Sequence, residues 1–422
     1  MPIPSTGPAQ KPAALLTATL ALLSFVLPLA TDMYLPAFPT MAAELDTDAS
    51  GVQLTLTSFL SGTALGQLVL GPLSDRHGRR MPILLGTATC AAATALCALA
   101  PHLGALIVLR FITGFSGAAG LVVARAVISD IAAGPVAAKL FGTLMALGGI
   151  APIVAPLAGG ALVNSAGGWR GVFWVLAVAS LLMFLAALFF VPESLPPQRR
   201  QPGGVSATLR AARSVLGDRG YLGHTLAFTF ASGALFCYIS GSAFLLQNVL
   251  GLTVGEASVA FSLGAVTATL STAVNTKLVG RYRPGLLLRI GLAMMLLATS
   301  AALLVTLMGQ LTRVLGLGLT GIAFVGLGQV FGTATALALE RVPHAAGTGS
   351  AVLGTLQSIV GAVASPLVGL GGAHTAVPLF AGMAGCSLIA VLALLLTRRD
   401  AQPSRSPGRP SYDLEAPTSA VT

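Results

Sequence analysis

Two ionisable side chains, Asp32 and Arg110, lie inside runs of apolar residues long enough to cross a bilayer. A charge near the middle of a bilayer costs about 2.5 to 3.5 kcal/mol even on permissive insertion scales, so such residues face a cavity or a partner. A carboxyl in a low-dielectric cavity can load and release a proton. A guanidinium stays charged throughout, so an Asp beside it is held ionised until something separates the two. Asp32 is the one strong candidate for a proton-carrying acid within the membrane, because Glu44, Asp46, Asp48 and the remaining acids fall in loops, tails or at the ends of apolar runs. Structural roles compete with this chemistry. Pro28 and Pro36 bracket Asp32, so its carboxylate could cap a broken helix, and Arg110 could serve only as a donor to backbone carbonyls.

Two further stretches combine charge or backbone freedom with position. Gly71-Pro72-Leu73-Ser74-Asp75-Arg76-His77-Gly78-Arg79-Arg80 sits between the second and third apolar runs. Its two glycines and proline predict a tight reversal, and Arg76, Arg79 and Arg80 predict a cytoplasmic location. In the fifth run, Gly148-Gly149-Ile150-Ala151-Pro152 precedes Ala155-Pro156-Leu157-Ala158-Gly159-Gly160. Each proline removes a backbone hydrogen bond and each glycine removes bulk, which makes a bendable helix with a smooth face.

The elements that must position these residues follow from composition. Of 422 residues, 55% are hydrophobic and 9% charged, where a soluble domain carries about 25% charged residues. With a mean hydropathy of +0.87, the chain is an integral membrane protein. Its 50 glycines have no three-residue period and suit close helix packing in lipid. Apolar runs of about 20 residues, the length that spans hydrocarbon, occur at 13–35, 50–72, 81–100, 103–128, 139–163, 170–191, 222–247, 256–279, 285–308, 312–338, 346–371 and 375–397. The first is longer than the apolar core of a secretory signal and is read as an uncleaved helix.

The net charge of +10 is a topology signal rather than a nucleic-acid footprint. Lys11, Arg76, Arg79, Arg80, Arg125, Lys139, the arginines between 199 and 219, Lys277 to Arg289, Arg341 and the arginines after 397 fall in alternate loops, while Arg170 and Arg313 fall on the other side. The positive-inside rule then places both termini in the cytoplasm. The expected organisation is a tail at 1–12, a six-helix bundle at 13–191, a cytoplasmic linker at 192–220, a second bundle at 221–397 and a disordered tail at 398–422. The halves repeat weakly: Ser365-Pro366-Leu367 echoes Ala155-Pro156-Leu157, and Lys277 to Arg283 echoes the Asp75 loop without its acid. Cys90, Cys97, Cys237 and Cys386 lie in apolar runs and suggest no disulfide framework.

The Gly71–Arg80 stretch resembles the signature loop of the major facilitator superfamily, and Arg110-Phe111-Ile112-Thr113-Gly114 resembles its fourth-helix motif. The paired Ala-Pro steps of the fifth run resemble the superfamily's antiporter motif. Together with Thr31-Asp32-Met33-Tyr34-Leu35-Pro36, Gly168-Trp169-Arg170 and Pro192-Glu193-Ser194, they resemble the bicyclomycin/chloramphenicol resistance branch of proton-driven drug exporters. The resemblance implies twelve transmembrane helices in two pseudo-symmetric halves. It assigns a proton and substrate role to Asp32, a coupling role to Arg110, and an inner gate to Gly71, Asp75, Arg76, Gly78, Arg79, Arg80 and Asp130. Pro152, Pro156, Gly159 and Gly160 would form the antiporter helix. Tyr34 is a candidate to line the substrate cavity, and aligning the two halves sets Tyr238 opposite Asp32, which makes it and Gln247 in the same run the lining candidates of the second half.

The expected function is export of amphipathic drugs in exchange for protons across a bacterial inner membrane, by a monomer that needs no nucleic acid. An exporter of an endogenous solute, such as a sugar or amino-acid derivative, is the alternative on the same fold. A passive channel would need no buried acid. A membrane enzyme is disfavoured because the spans hold no His-rich cluster or paired carboxylates, and none of the five histidines has ligand spacing. No metal, cofactor or catalytic residue is therefore expected.

Overall fold

The computed structural model describes residues 14–132, 134–200 and 205–400. Every regular element among them is helical: α1 Ala14–Asp32, α2 Phe38–Glu44, α3 Ala49–His77, α4 Arg80–Ala98, α5 Leu103–Ile131, α6 Gly134–Val163, α7 Gly168–Phe190, α8 Val205–Leu216, α9 Arg219–Phe244, α10 Val254–Leu278, α11 Pro284–Leu307, α12 Arg313–Arg341, α13 Ala346–Gly369 and α14 Val377–Ala393. They supply 12 segments long and apolar enough to cross a membrane, in the order expected from the apolar runs. The tails expected at 1–12 and beyond 400 lie outside the described residues, as do Lys11, Gly203 and Gly204; a 3₁₀ segment carries α14 on to Asp400.

Three elements depart from the sequence expectation. The first apolar run does not end at 35. A 3₁₀ turn at Leu35–Ala37 leads into α2, so the span continues to Glu44. Pro36 and Pro39 cannot donate backbone hydrogen bonds, and the chain tightens there rather than turning back. Second, Gly71 and Pro72 do not form the reversal. Helix α3 runs through both to His77, and the Ser74 hydroxyl donates to the Gly71 carbonyl at 2.8 Å. Neighbouring groups that take up freed backbone positions let a membrane helix tolerate proline. The reversal falls at Gly78, whose φ of +95° strains a residue with a side chain. Third, the stretch expected to be linker contains α8, which turns Val215 into a cluster with Tyr221, Ala338 and Val342 and leaves Arg210 and Arg213 exposed.

Within the first half, α3 packs along α5 and α4 along α5 and α7; in the second, α11 packs on α12 and α9 on α14. The halves meet where α3 lies along α13 and α6 along α10. Small residues permit these approaches. Prolines 152 and 156 stay within α6, and Pro366 stays within α13, so the echoed motif occupies helix interiors in both halves. All four cysteines are free thiols.

Candidate functional site

The end of the bundle that carries the Asp75 loop is called the basic end here, and the opposite end, with Glu44 and Trp169, the far end. Helix α1 stops at Asp32, which leaves its last carbonyls without helical partners. Arg110, wholly buried, reaches across from α5 and donates from Nη2 to the Ala30 oxygen at 3.1 Å. A cation at a helix C-terminus complements the helix dipole. Its guanidinium carbon lies 4.1 Å from the Phe59 ring centre, 4.3 Å from that of Tyr34 and 5.7 Å from that of Phe173. Stacking on desolvated rings is worth about 2 kcal/mol or more. Nε and Nη1 have no hydrogen-bond partner.

Asp32 is 4% exposed, and its Oδ1 has no hydrogen-bond partner. No ion pair joins it to Arg110 among the described residues. The two side chains therefore share the end of α1 without meeting. Of the structural roles weighed from sequence, the arginine's bond to a carbonyl is present, and a helix-capping bond to Asp32 Oδ1 is not. One residue on, the Met33 carbonyl abuts α6: a Cβ on Gly159 would lie 1.8 Å from that oxygen. Only glycine fits there, and α6 touches the break in α1 beside the buried acid.

Tyr34 bonds through its hydroxyl to Thr55 Oγ1 at 3.3 Å and packs on Phe38 and Phe173, so it walls the arginine. Tyr238, 2% exposed, sits in a separate aromatic cluster with Phe261 and Phe324. Gln247 lies in a π-helical turn after α9 and donates to the Pro36 carbonyl at 3.0 Å. The void beside it, with Leu35 and Pro156 on its wall, has about 10 Å³, room for about one water. Both tyrosines are thus closed off, and the void beside Gln247 is too small for a substrate. Gln247 helps seal the far end instead, together with Gln53, which donates to the Ser240 carbonyl at 3.1 Å, and the Phe38–Phe244 contact.

The basic end is organised by one arginine and one glutamate. Arg79, 7% exposed, donates from Nε to Asp130 at 2.9 Å and from Nη1 to Ser74 at 2.8 Å and to Asp75. The structure thus brings Asp75, Arg79 and Asp130 together. Asp75, near the end of α3, is engaged by Arg79 four residues on in this far-end-sealed state, and its side chain is half exposed. Arg76 is exposed, and Arg80 donates to the Leu188 carbonyl at 3.2 Å.

Glu193 accepts the backbone N–H groups of Arg79 at 2.8 Å, Arg80 at 3.3 Å and Leu195 at 3.0 Å. It thereby closes the N-terminus of α4, where a negative charge is favoured. Partial burial pushes its pKa up, but those three donors and the Arg200 charge outweigh burial and hold the carboxyl below its usual range. Gly78 lies directly beneath: a Cβ there would sit 2.3 Å from Glu193 Oε2. Ser194 donates to Asp130 at 2.9 Å, so Pro192-Glu193-Ser194 and the Gly78 turn form one network. Sequence reading had marked both stretches but not their union, since 114 positions separate Arg79 from Glu193. It also missed Phe59 and Phe173 around Arg110, which look like ordinary apolar residues, and Glu44, which accepts from Trp169 Nε1 and Arg170 at 2.8 Å each.

The sequence matches the Major Facilitator Superfamily over residues 20–366. An uncharacterized MFS-type transporter of Bacillus subtilis, YdgK, is 35% identical over 388 residues, covering 92% of this chain and 96% of that protein. A bicyclomycin resistance protein homolog of Haemophilus influenzae is 32% identical and covers 93% and 98% of the two chains. A chloramphenicol resistance protein of Pseudomonas aeruginosa is 32% identical over 86% of each. Among solved structures, the nucleoside transporter NupG superposes with a TM-score of 0.70 at 16% identity, covering 91% of this chain and 100% of that one. A D-xylose-proton symporter gives 0.69 at 14% identity over 91% and 96% of the two chains. Those two likenesses speak for the fold alone, whereas the matched residues and the relatives above 30% identity speak for descent, and the chain belongs to the major facilitator superfamily.

Proposed function

We propose that the protein exports amphipathic drugs in exchange for protons by alternating access, as a monomer in a bacterial cytoplasmic membrane with both termini inside. Residues 13–191 and 221–397 are taken as the two moving bundles and 192–220 as their link. The observation that carries this reading is the meeting of three features at the end of α1: the buried, unpaired Asp32, the Arg110 bond to Ala30, and the α6 backbone pressed on Met33. A movement of α6 that disturbs this end changes the distance between acid and arginine, and with it the proton affinity of the acid. The resistance named for relatives at 32% identity supports a drug as cargo. Asp75, Arg79 and Asp130 serve as the gate that closes the basic end in the opposite state.

Each charge moved across the membrane supplies about 2.3 kcal/mol per 100 mV, enough for a gradient of tens-fold in a neutral drug. The test uses proteoliposomes with a pH-sensitive dye, with chloramphenicol as the neutral probe and ethidium as the cationic one. Asp32→Asn mimics the protonated side chain and is expected to abolish the drug-driven pH change, leaving any residual flux indifferent to a proton gradient. A variant that still shifts internal pH on drug addition as wild type does would sink the proposal. Loss of ethidium alone, with chloramphenicol still proton-driven, would make Asp32 a specificity residue.

A further inference from the structure

A groove of about 410 Å³ opens on the outside of the second half between α11 and the end of α14. Leu292, Leu296 and Leu297 line it from α11, and Val391, Leu392 and Leu395 from the other side. Leu297 is 71% exposed while Leu292 at the floor is fully buried, so this is a recess in the apolar surface rather than a flat face. Its volume lies within the range of about 300 to 1,000 Å³ that holds a small organic ligand or one flexible chain.

Arg289 also lines the recess, and the lining contains no acid. Neither an ion pair nor a hydrogen bond joins it to any other described residue. It stands five residues into α11, about 8 Å below the helix start, with exposed Arg281 and Arg283 in the turn before it. An unpaired cation above a leucine-lined recess, at the end rich in basic residues, matches one occupant in both parts. We propose that this groove seats a phospholipid with an anionic headgroup from the leaflet at the basic end, its phosphate on Arg289 and an acyl chain along Leu292, Leu296 and Leu297. Basic pockets between spans on the cytoplasmic side favour anionic lipids for this reason. The site is separate from the Asp32 centre and does not depend on what the protein exports.

Native mass spectrometry of the purified full-length protein tests it, with phosphatidylglycerol and phosphatidylcholine of equal chain length as probes. Wild type is expected to retain phosphatidylglycerol about tenfold better. Arg289→Gln should remove most of that preference and leave phosphatidylcholine unchanged, while Leu297→Trp, which fills the recess, should lower retention of both. Arg289 and Leu297 are exposed, so neither variant disturbs the core. Equal retention of the two lipids by wild type would overturn the proposal, as would phosphatidylglycerol binding untouched by either variant. A dimer that Leu297→Trp dissolves would assign the groove to a second copy of the chain and overturn it too.

Discussion

Gly160 offers a way to weigh the sealed state against its alternative. It lies where α6 of the first half meets α10 of the second, and a Cβ there would fall 2.1 Å from Ser258 Oγ and 2.9 Å from Ser258 Cβ. The Ser258 hydroxyl, which donates to the Val254 carbonyl at 2.7 Å, can rotate away. Its Cβ cannot, so in Gly160→Ala the two helices must part by about half an ångström. Overpacking of this kind costs about 1 to 3 kcal/mol, and the loss of one rotatable contact argues for the lower half of that range. Because the contact joins the two halves, the cost falls on the sealed state alone. A penalty of about 1.4 kcal/mol shifts the population tenfold toward states with the far end open. Spin labels on the exposed far-end positions Ala43 and Met308 report the change as a longer distance population. Ser258→Gly removes the opposing Cβ, so the double variant Gly160→Ala/Ser258→Gly should return to the wild-type distribution. The reasoning fails if Gly160→Ala leaves the distances unchanged, or if the double variant differs no less than the single.

Other outcomes follow from the same geometry. Arg110→Lys keeps the charge but loses the planar stack on Phe59 and Tyr34, and should lower drug efflux at least about tenfold while the protein still inserts and purifies as a monodisperse species. Arg79→Ala strips partners from Asp130, Asp75 and Ser74; allowing for the exposure of Asp75, a loss of about 2 to 4 kcal/mol is expected in thermal unfolding. Glu193→Gln should cost about 1 to 2 kcal/mol at neutral pH, since charge-assisted bonds are weakened and partly screened. The folded pKa of Glu193 lies below the unfolded value, so its contribution is full above the unfolded pKa of about 4.3 and fades as pH falls through the lower folded value. Wild type and Glu193→Gln should then converge in melting temperature in strongly acidic buffer, and a constant gap down to pH 2 would contradict this assignment.

Much of the architecture was legible because lipid imposes a coarse rule. Twelve apolar runs announce twelve spans, since the backbone must satisfy itself within each helix. Asp32 and Arg110 were legible for the converse reason, as charges where the rule forbids them. The direction of their partners was not. Arg110 spends its bonds and faces on Ala30, Tyr34, Phe59 and Phe173; Tyr34 was marked for the cavity rather than for the arginine, and the two phenylalanines look like any other apolar residue. Proline and glycine misled at Gly71-Pro72, where local propensity argues for a turn and the surrounding helices sustain α3. Helix α8 was hidden by its charge: Arg210 and Arg213 make the stretch look like open linker, while Val215 carries the contact that folds it.

The closure of α4 by Glu193 has a consequence for biosynthesis. When the chain leaves the ribosome, the Gly78 turn and the first N–H groups of α4 emerge more than a hundred residues before the carboxylate that receives them. Domains generally fold as units in the order of synthesis. The nascent first half therefore carries an unfinished corner until α7 has been threaded and Glu193 follows it out. Locking then needs nothing from α9 or the helices after it. A chain released after Arg200 should hold a protease-resistant amino-terminal core, and one released after Val191 should remain open to cleavage at the Gly78 turn.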